Sequence, residues 1–143
     1  SEPSTPISLT RYPPLVVGGA TVDMIARADL DLDFQPGTSN LGTVQQTHGG
    51  VARNITECLG RFGTRPIFAS VAGEDDAGNA ITNALQELDV NVSNVVRVDQ
   101  GRTAVYNALL DDNGDLIAAV ADMAIMEHMH VGFASNVLDH VSS

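Results

Sequence analysis

The chain contains no lysine and no tryptophan. Its seven basic residues are all arginine, set against 18 carboxylates, for a formal net charge of -11. So acidic a surface repels nucleic-acid phosphates and anionic membranes, and neither is expected as a partner. The aspartates are spread over several segments, which reads as a solvated acidic exterior. A single cysteine, Cys58, excludes an intrachain disulfide and any zinc-ligand spacing, and suits a reducing compartment. On the helix expected there it falls near the apolar face, as a buried structural thiol. No apolar run approaches the roughly 18 residues of a membrane span, and the start lacks the charged-then-apolar order of a signal peptide, so a soluble, intracellular protein is expected. Aromatic residues are only 4% against 43% hydrophobic in all. The core must then be built from Val, Ile, Leu and Ala, as in α/β proteins.

With 143 residues the chain fits one domain, able to bury roughly 68–70% of the surface it exposes when unfolded. Residues 1–14, rich in Ser, Thr and Pro and without apolar period, read as a linker or disordered start. Leu15-Val16-Val17-Gly18-Gly19 predicts a buried strand in a sheet covered on both faces. Two candidate strands within 21–47 flank the turn-rich loop Gln35-Pro36-Gly37-Thr38-Ser39-Asn40-Leu41-Gly42. From Val51, the residues Ile55, Leu59 and Phe62 mark one face of a helix that Gly63 stops. Pro66 to Ala72 reads as a further buried strand, and the strand, helix, strand order implies a parallel crossover. Asp75 or Asp76 caps a second helix carrying Ala77, Ile81, Ala84, Leu85 and Leu88. A strand near Val95 to Val98 follows. The period then shortens to two over 103–110 and 115–121, joined by Asp111-Asp112-Asn113-Gly114, a strong hairpin signal. The pattern is a parallel α/β layer with appended strands, and a tail over 131–143 of no clear structure.

The stretch Thr47 to Gly63 is the richest in chemistry. The pair Gly49-Gly50 allows close backbone approach, and the helix start behind it offers unpaired N–H groups with the polar Asn54 in its first turn. This suits a polar, hydroxyl-rich or anionic small molecule. Asp23, placed just past the first strand, can accept two hydrogen bonds from vicinal hydroxyls or cap a turn. His48 is read as a loop residue beside the glycine pair, either on a ligand or without a role. Gly18-Gly19 lacks G-x-G-x-x-G spacing, and the absence of lysine excludes a G-x-x-x-x-G-K-[ST] loop. Asp111, Asp112, Asn113 and Asp115 lack calcium-loop spacing, and His128 with His130 finds no third ligand, so no metal site is expected.

Gly49-Gly50-Val51-Ala52-Arg53-Asn54, followed by Gly60 and then Phe68-Ala69-Ser70-Val71-Ala72-Gly73-Glu74-Asp75-Asp76-Ala77-Gly78, resembles the N-terminal half of ribokinase-like, or PfkB-family, sugar kinases. The likeness runs from about residue 15 to 127. Pro36 to Asn40, Thr103-Ala104-Val105-Tyr106 and Ala121-Asp122-Met123 are similar to the pseudouridine kinase branch. The resemblance implies an α/β fold: part of a doubly wound sheet with the appended strands as a lid, over residues 15–130, often paired with the lid of a second subunit as a homodimer. It implies that Asp23 binds ribose hydroxyls, that Gly49, Gly50 and Asn54 hold the sugar, and that Ser39, Asn40 and Thr103 approach the base. Arg53 and Asp122 carry over less directly, Arg53 having a local competitor in Glu57 one turn on.

The departure from the family concerns catalysis. Its catalytic aspartate belongs to a late G-x-G-D motif, which these 143 residues do not contain; Asn113-Gly114-Asp115 is a hairpin turn. No catalytic residue is therefore assigned. ATP and Mg2+ are expected for a full-length parent and not for this chain alone, which is expected to bind a sugar or nucleoside without kinase turnover. Within enzymes the rival reading is another sugar kinase, of ribokinase or fructokinase type. Outside them it is a non-catalytic dimerising or regulatory module.

Overall fold

The computed structural model describes residues 12–142. The first 11 residues of the expected linker lie outside the described residues. Along the chain run β1 (Leu15–Val17), β2 (Thr21–Ala28), β3 (Gly42–Gly49), α1 (Val51–Arg61), β4 (Ile67–Gly73), α2 (Asp76–Gln86), β5 (Asn91–Val98), β6 (Val105–Leu110) and β7 (Leu116–Asp122), then a 3-10 turn over Ala124–His128 and α3 (Val131–Ser142).

Two sheets result. The core sheet is parallel, in the order β1-β4-β5. The lid sheet is mixed, in the order β3-β2-β6-β7, with β2 and β6 parallel and the outer pairs antiparallel. This modifies the crossover expected from strand order. The strand before α1 belongs to the lid, and the parallel neighbours of β4 are β1 and β5.

Strand β4 is the centre of the core because its pleat feeds both faces. Phe68 and Ala72 join Ala20, Val22, Ile81, Leu85, Val90 and Val95 on the α1/α2 side. Ala69 and Val71 join Ala104, Ile125, Phe133 and Val137 on the other. Helices thus cover both faces, the layering of an α/β fold. The tail is no loose end: α3 inserts Phe133 and Val137 into the second cluster. His128 and His130 stand on the 3-10 turn and the link to α3.

Helix α1 corrects two expectations. Its inward face is Ala52, Arg53, Thr56, Leu59 and Gly60, while Val51 is 77%, Ile55 49% and Phe62 83% exposed. Periodicity locates a stripe but not its destination, because α1 approaches α2 through small residues: a Cβ on Gly60 would lie 3.0 Å from the Leu88 carbonyl oxygen. Cys58, about 200° around the helix from Thr56, is exposed and not a buried thiol. Strand β1 likewise is half-buried, with Val17 exposed at the free edge of the core sheet.

Candidate functional site

Asp23 is the third residue of β2, in the lid, and does not follow the end of β1 as its position in the chain suggests. Antiparallel register sets Asp23 opposite Thr47 and Thr21 opposite Gly49, and parallel register sets Asp23 beside Tyr106. Thr21 Oγ1 donates to Asp23 Oδ1 at 2.8 Å, the contact of residues two apart on one strand face. A Cβ on Gly49 would fall 2.2 Å from Asp23 Oδ2 and 2.6 Å from Thr21 Oγ1, so only glycine admits the carboxylate there. Gly50, at φ 93° and ψ 128°, turns the chain from β3 into α1 and packs on the Gly19 carbonyl.

Behind this turn sits Arg53, 6% exposed. Its Nε donates to the Gly49 carbonyl at 3.1 Å, its Nη1 to Glu57 Oε2 at 2.6 Å, and its Nη2 to Asn54 Oδ1. Arg53 thereby braces the glycine turn from inside and orients Asn54, whose own N–H bonds the Gly50 carbonyl. With its carbonyl taken by Arg53, the exposed Asn54 amide has N–H donors to offer a ligand. Hydrogen bonds from Arg53 and Arg61 hold the Glu57 carboxyl below its usual range. His48 is a strand residue, the penultimate one of β3; partial burial, helped by the Arg53 charge, lowers its pKa and favours the neutral imidazole.

The structure brings Asp23, Gly49, Gly50 and Asn54 together and sets the other candidates apart. Ser39 and Asn40 line a groove of about 670 Å3 with Phe34, Ala26, Val44 and Leu109. These strand positions alternate with Asp23, so the groove lies over the opposite face of the lid sheet. Asn40 is occupied within its loop: Oδ1 accepts from the Gln35 N–H, and Nδ2 donates to the carbonyls of Gln35 and Thr38. The groove that Ser39 and Asn40 line does not include Asp23. Thr103 is 1% exposed, and its hydroxyl accepts from the Gly73 N–H and donates to Asp75, so it presents no free polar group. Asp122 is paired with Arg102 at 2.8 Å, a solvent-facing contact that lowers the Asp122 pKa, and it too alternates with the Asp23 row.

Thr47 and Tyr106 belong to longer sequence motifs that do not place them beside Asp23. They flank Asp23 across the sheet, and only strand register could find them. Among the described residues no group of three or more His, Cys, Asp or Glu side chains gathers as a metal would require. The 143 residues contain no lysine and no G-x-G-D motif.

The geometry is that of a glycine-backed carboxylate under a four-stranded lid. The model of the pfkB family carbohydrate kinases matches residues 14–140. The chain belongs to the pfkB carbohydrate kinase family. It is 30% identical over 111 residues to the pseudouridine kinase of Escherichia coli K12, covering 78% of this chain and 35% of that protein. Among solved structures, that of a candidate sugar kinase from Clostridium perfringens matches with a TM-score of 0.81 at 30% identity, over 91% of this chain and 41% of the other. Arabidopsis thaliana ribokinase, complexed with ribose and ATP, matches at 0.65 and 26%, over 76% and 35%. The chain spans about a third of the length of the curated relatives it matches. PfkB kinases act on small sugars or nucleosides with ATP. In this pfkB chain part of an α/β core, a three-stranded parallel sheet with helices on both faces, stands beside the four-stranded lid sheet, and among the described residues no helix is long and apolar enough to cross a membrane.

Proposed function

We propose that this chain forms the acceptor-binding part of an ATP-dependent kinase whose full-length form phosphorylates the ribose 5'-hydroxyl of a nucleoside, pseudouridine being favoured by the likeness to the pseudouridine kinases of Escherichia coli and Arabidopsis thaliana. The observation that carries the reading is Asp23, held against Gly49 by a spacing no side chain could share. Its acceptors and the Asn54 donors flank one glycine turn, and the hydroxyls of a vicinal diol can bond to both. Phosphoryl transfer requires a positioned base and neutralisation of charge on the transferred group, and these residues supply neither. The remainder of the kinase domain then supplies both, seated on the open edge of β1 and the outer stripe of α1, where Val17, Val51, Ile55 and Phe62 are exposed. Calorimetry with this chain should detect saturable pseudouridine binding, while a coupled assay with ATP and Mg2+ detects no turnover. Catalytic turnover would sink the division of labour, and equal affinity for ribose would remove base recognition.

The lid also favours self-association. Val44, Ala26, Leu109 and Ala118 form one apolar row across all four strands, on the face away from Asp23, with Val120 71% exposed in the next row. Such a face is unusual on a monomer and suits an isologous sheet-on-sheet dimer. Sedimentation at micromolar concentration should give a dimer that Leu109→Glu returns to monomer. A wild-type monomer would remove the pairing.

A further inference from the structure

The lid meets the core at four crossings: residues 18–20, 49–50, 99–104 and 123. The first two are glycine turns: Gly18-Gly19, followed by the buried Ala20, and Gly49-Gly50, braced by Arg53 through the Gly49 carbonyl. The third is built differently. Asp75, the N-cap of α2, accepts from the Gly78 N–H on Oδ1 at 2.8 Å as a cap should. The same Oδ1 accepts from Thr103 Oγ1 at 2.6 Å, and Oδ2 accepts from the Thr103 N–H at 2.8 Å. Thr103 Oγ1 in turn accepts from the Gly73 N–H at 2.9 Å. One carboxylate therefore ties the end of β4, the start of α2 and the entry to the lid strand β6.

The surroundings leave no play. A Cβ on Gly73 would lie 2.4 Å from the Gly101 carbonyl oxygen and 2.8 Å from Asp75 Oδ2, and one on Gly78 would lie 3.0 Å from Thr103 Oγ1. Arg97 closes the nest, its Nε donating to the Gly73 carbonyl at 2.9 Å and its Nη2 to Asn79 at 2.7 Å. Burial raises the Asp75 pKa, yet the bonds from Thr103 and Gly78 outweigh it and leave the net shift downward. Cap duty alone uses one oxygen of the carboxylate; the other is aimed at Thr103.

What lies beyond Thr103 connects this nest to the sugar-holding edge. The next residue, Ala104, accepts from the Val22 N–H at 2.9 Å, and Val22 pairs with Val105 as Asp23 pairs with Tyr106. Thr103, Ala104, Val22 and Asp23 form a continuous bonded path. We infer that Asp75 is a positioning residue: it latches the lid to the core through Thr103 and so sets where the Asp23 carboxylate stands over the ligand. Its consequence for binding rests on the function proposed above, whereas its consequence for lid order does not.

Variants separate latch from cap. Asp75→Ser keeps an N-cap side chain but cannot reach Thr103; Thr103→Val removes the hydroxyl from the other side and leaves Asp75 capping α2; Thr103→Ser restores it. Amide hydrogen exchange on the full chain should show α2 protected in Asp75→Ser and Thr103→Val as in wild type, with the amides of 22–24 and 104–107 exchanging at least about tenfold faster. Pseudouridine affinity should fall about 5- to 10-fold in both, and both measures should return in Thr103→Ser. Faster exchange confined to α2, or unchanged exchange in β2 and β6, overturns the latch. If wild type binds no nucleoside the functional reading fails, and the exchange result still decides the latch. Should Asp75→Ser not fold, the Thr103 pair decides it alone.

Discussion

Gly50→Ala is expected to lower the melting temperature by roughly 10–15 °C. The residue adopts φ 93° and ψ 128°, a conformation that L side chains rarely hold, at a cost of about 1–3 kcal/mol. Its Cβ would also lie 2.5 Å from the Gly19 carbonyl oxygen and 3.1 Å from Ala20 Cα. Those are backbone atoms of the first lid crossing and cannot rotate aside, which adds about 1–3 kcal/mol of overpacking. Together the two effects reach about 2–6 kcal/mol, against a total stability of about 5–15 kcal/mol for an ordinary domain. At a few degrees per kcal/mol for a chain of this size, the stated fall follows. Gly63→Ala is the control. It too has a positive φ, 75°, but nothing lies within 4 Å of its Cβ, so only the conformational cost of about 1–2 kcal/mol applies. Thermal melts of the two variants should differ by at least about 5 °C. Equal losses would mean that the glycine turn is not pressed against the first crossing.

That turn is legible in the amino-acid sequence, since a glycine pair followed by an apolar helical stripe has few other uses. So are the lid hairpin, from its Asn113-Gly114 turn, and the cap of α2, from Asp75. What escapes is whatever depends on partners distant along the chain. The Asp75 carboxylate serves a cap three residues away and a latch 28 residues away, and only the first can be read locally. Ser39 and Asn40 stand 16 and 17 residues from Asp23, but the pleat carries their groove to the opposite face of the lid, a parity set by register across β2, β3 and β6. The outward stripe of α1 and the exposed Cys58 share another cause. Periodicity states that a helix has an apolar face; which surface covers it is decided by the rest of the fold. Here close approach to α2 favours Gly60 and the Arg53 brace inward, and Ile55 and Phe62 are turned out.

The largest functional effect is expected from Asp23→Asn. The carboxylate accepts from Thr21 at 2.8 Å, and an asparagine of the same shape can keep that bond, so stability should change by less than about 0.5 kcal/mol. The ligand loses more. A carboxylate offers acceptors at both oxygens, whereas the amide offers one acceptor and turns a donor toward a hydroxyl. Hydrogen bonds to a charged group contribute about 1.5–3 kcal/mol, which corresponds to a fall in pseudouridine affinity of roughly 10- to 150-fold. Asn54→Ala should weaken binding less, since it removes neutral donors with a net contribution of about 0.5–1.5 kcal/mol. Calorimetric titration of the wild type and both variants, alongside thermal melts, separates site from scaffold. An Asp23→Asn chain that melts as wild type and binds within twofold of it would return Asp23 to a partner of Thr21 with no ligand. A fall in affinity without a fall in stability would instead make the close approach of Gly49 intelligible: the glycine is there so that the carboxylate can stand at the lid's base, facing the ligand.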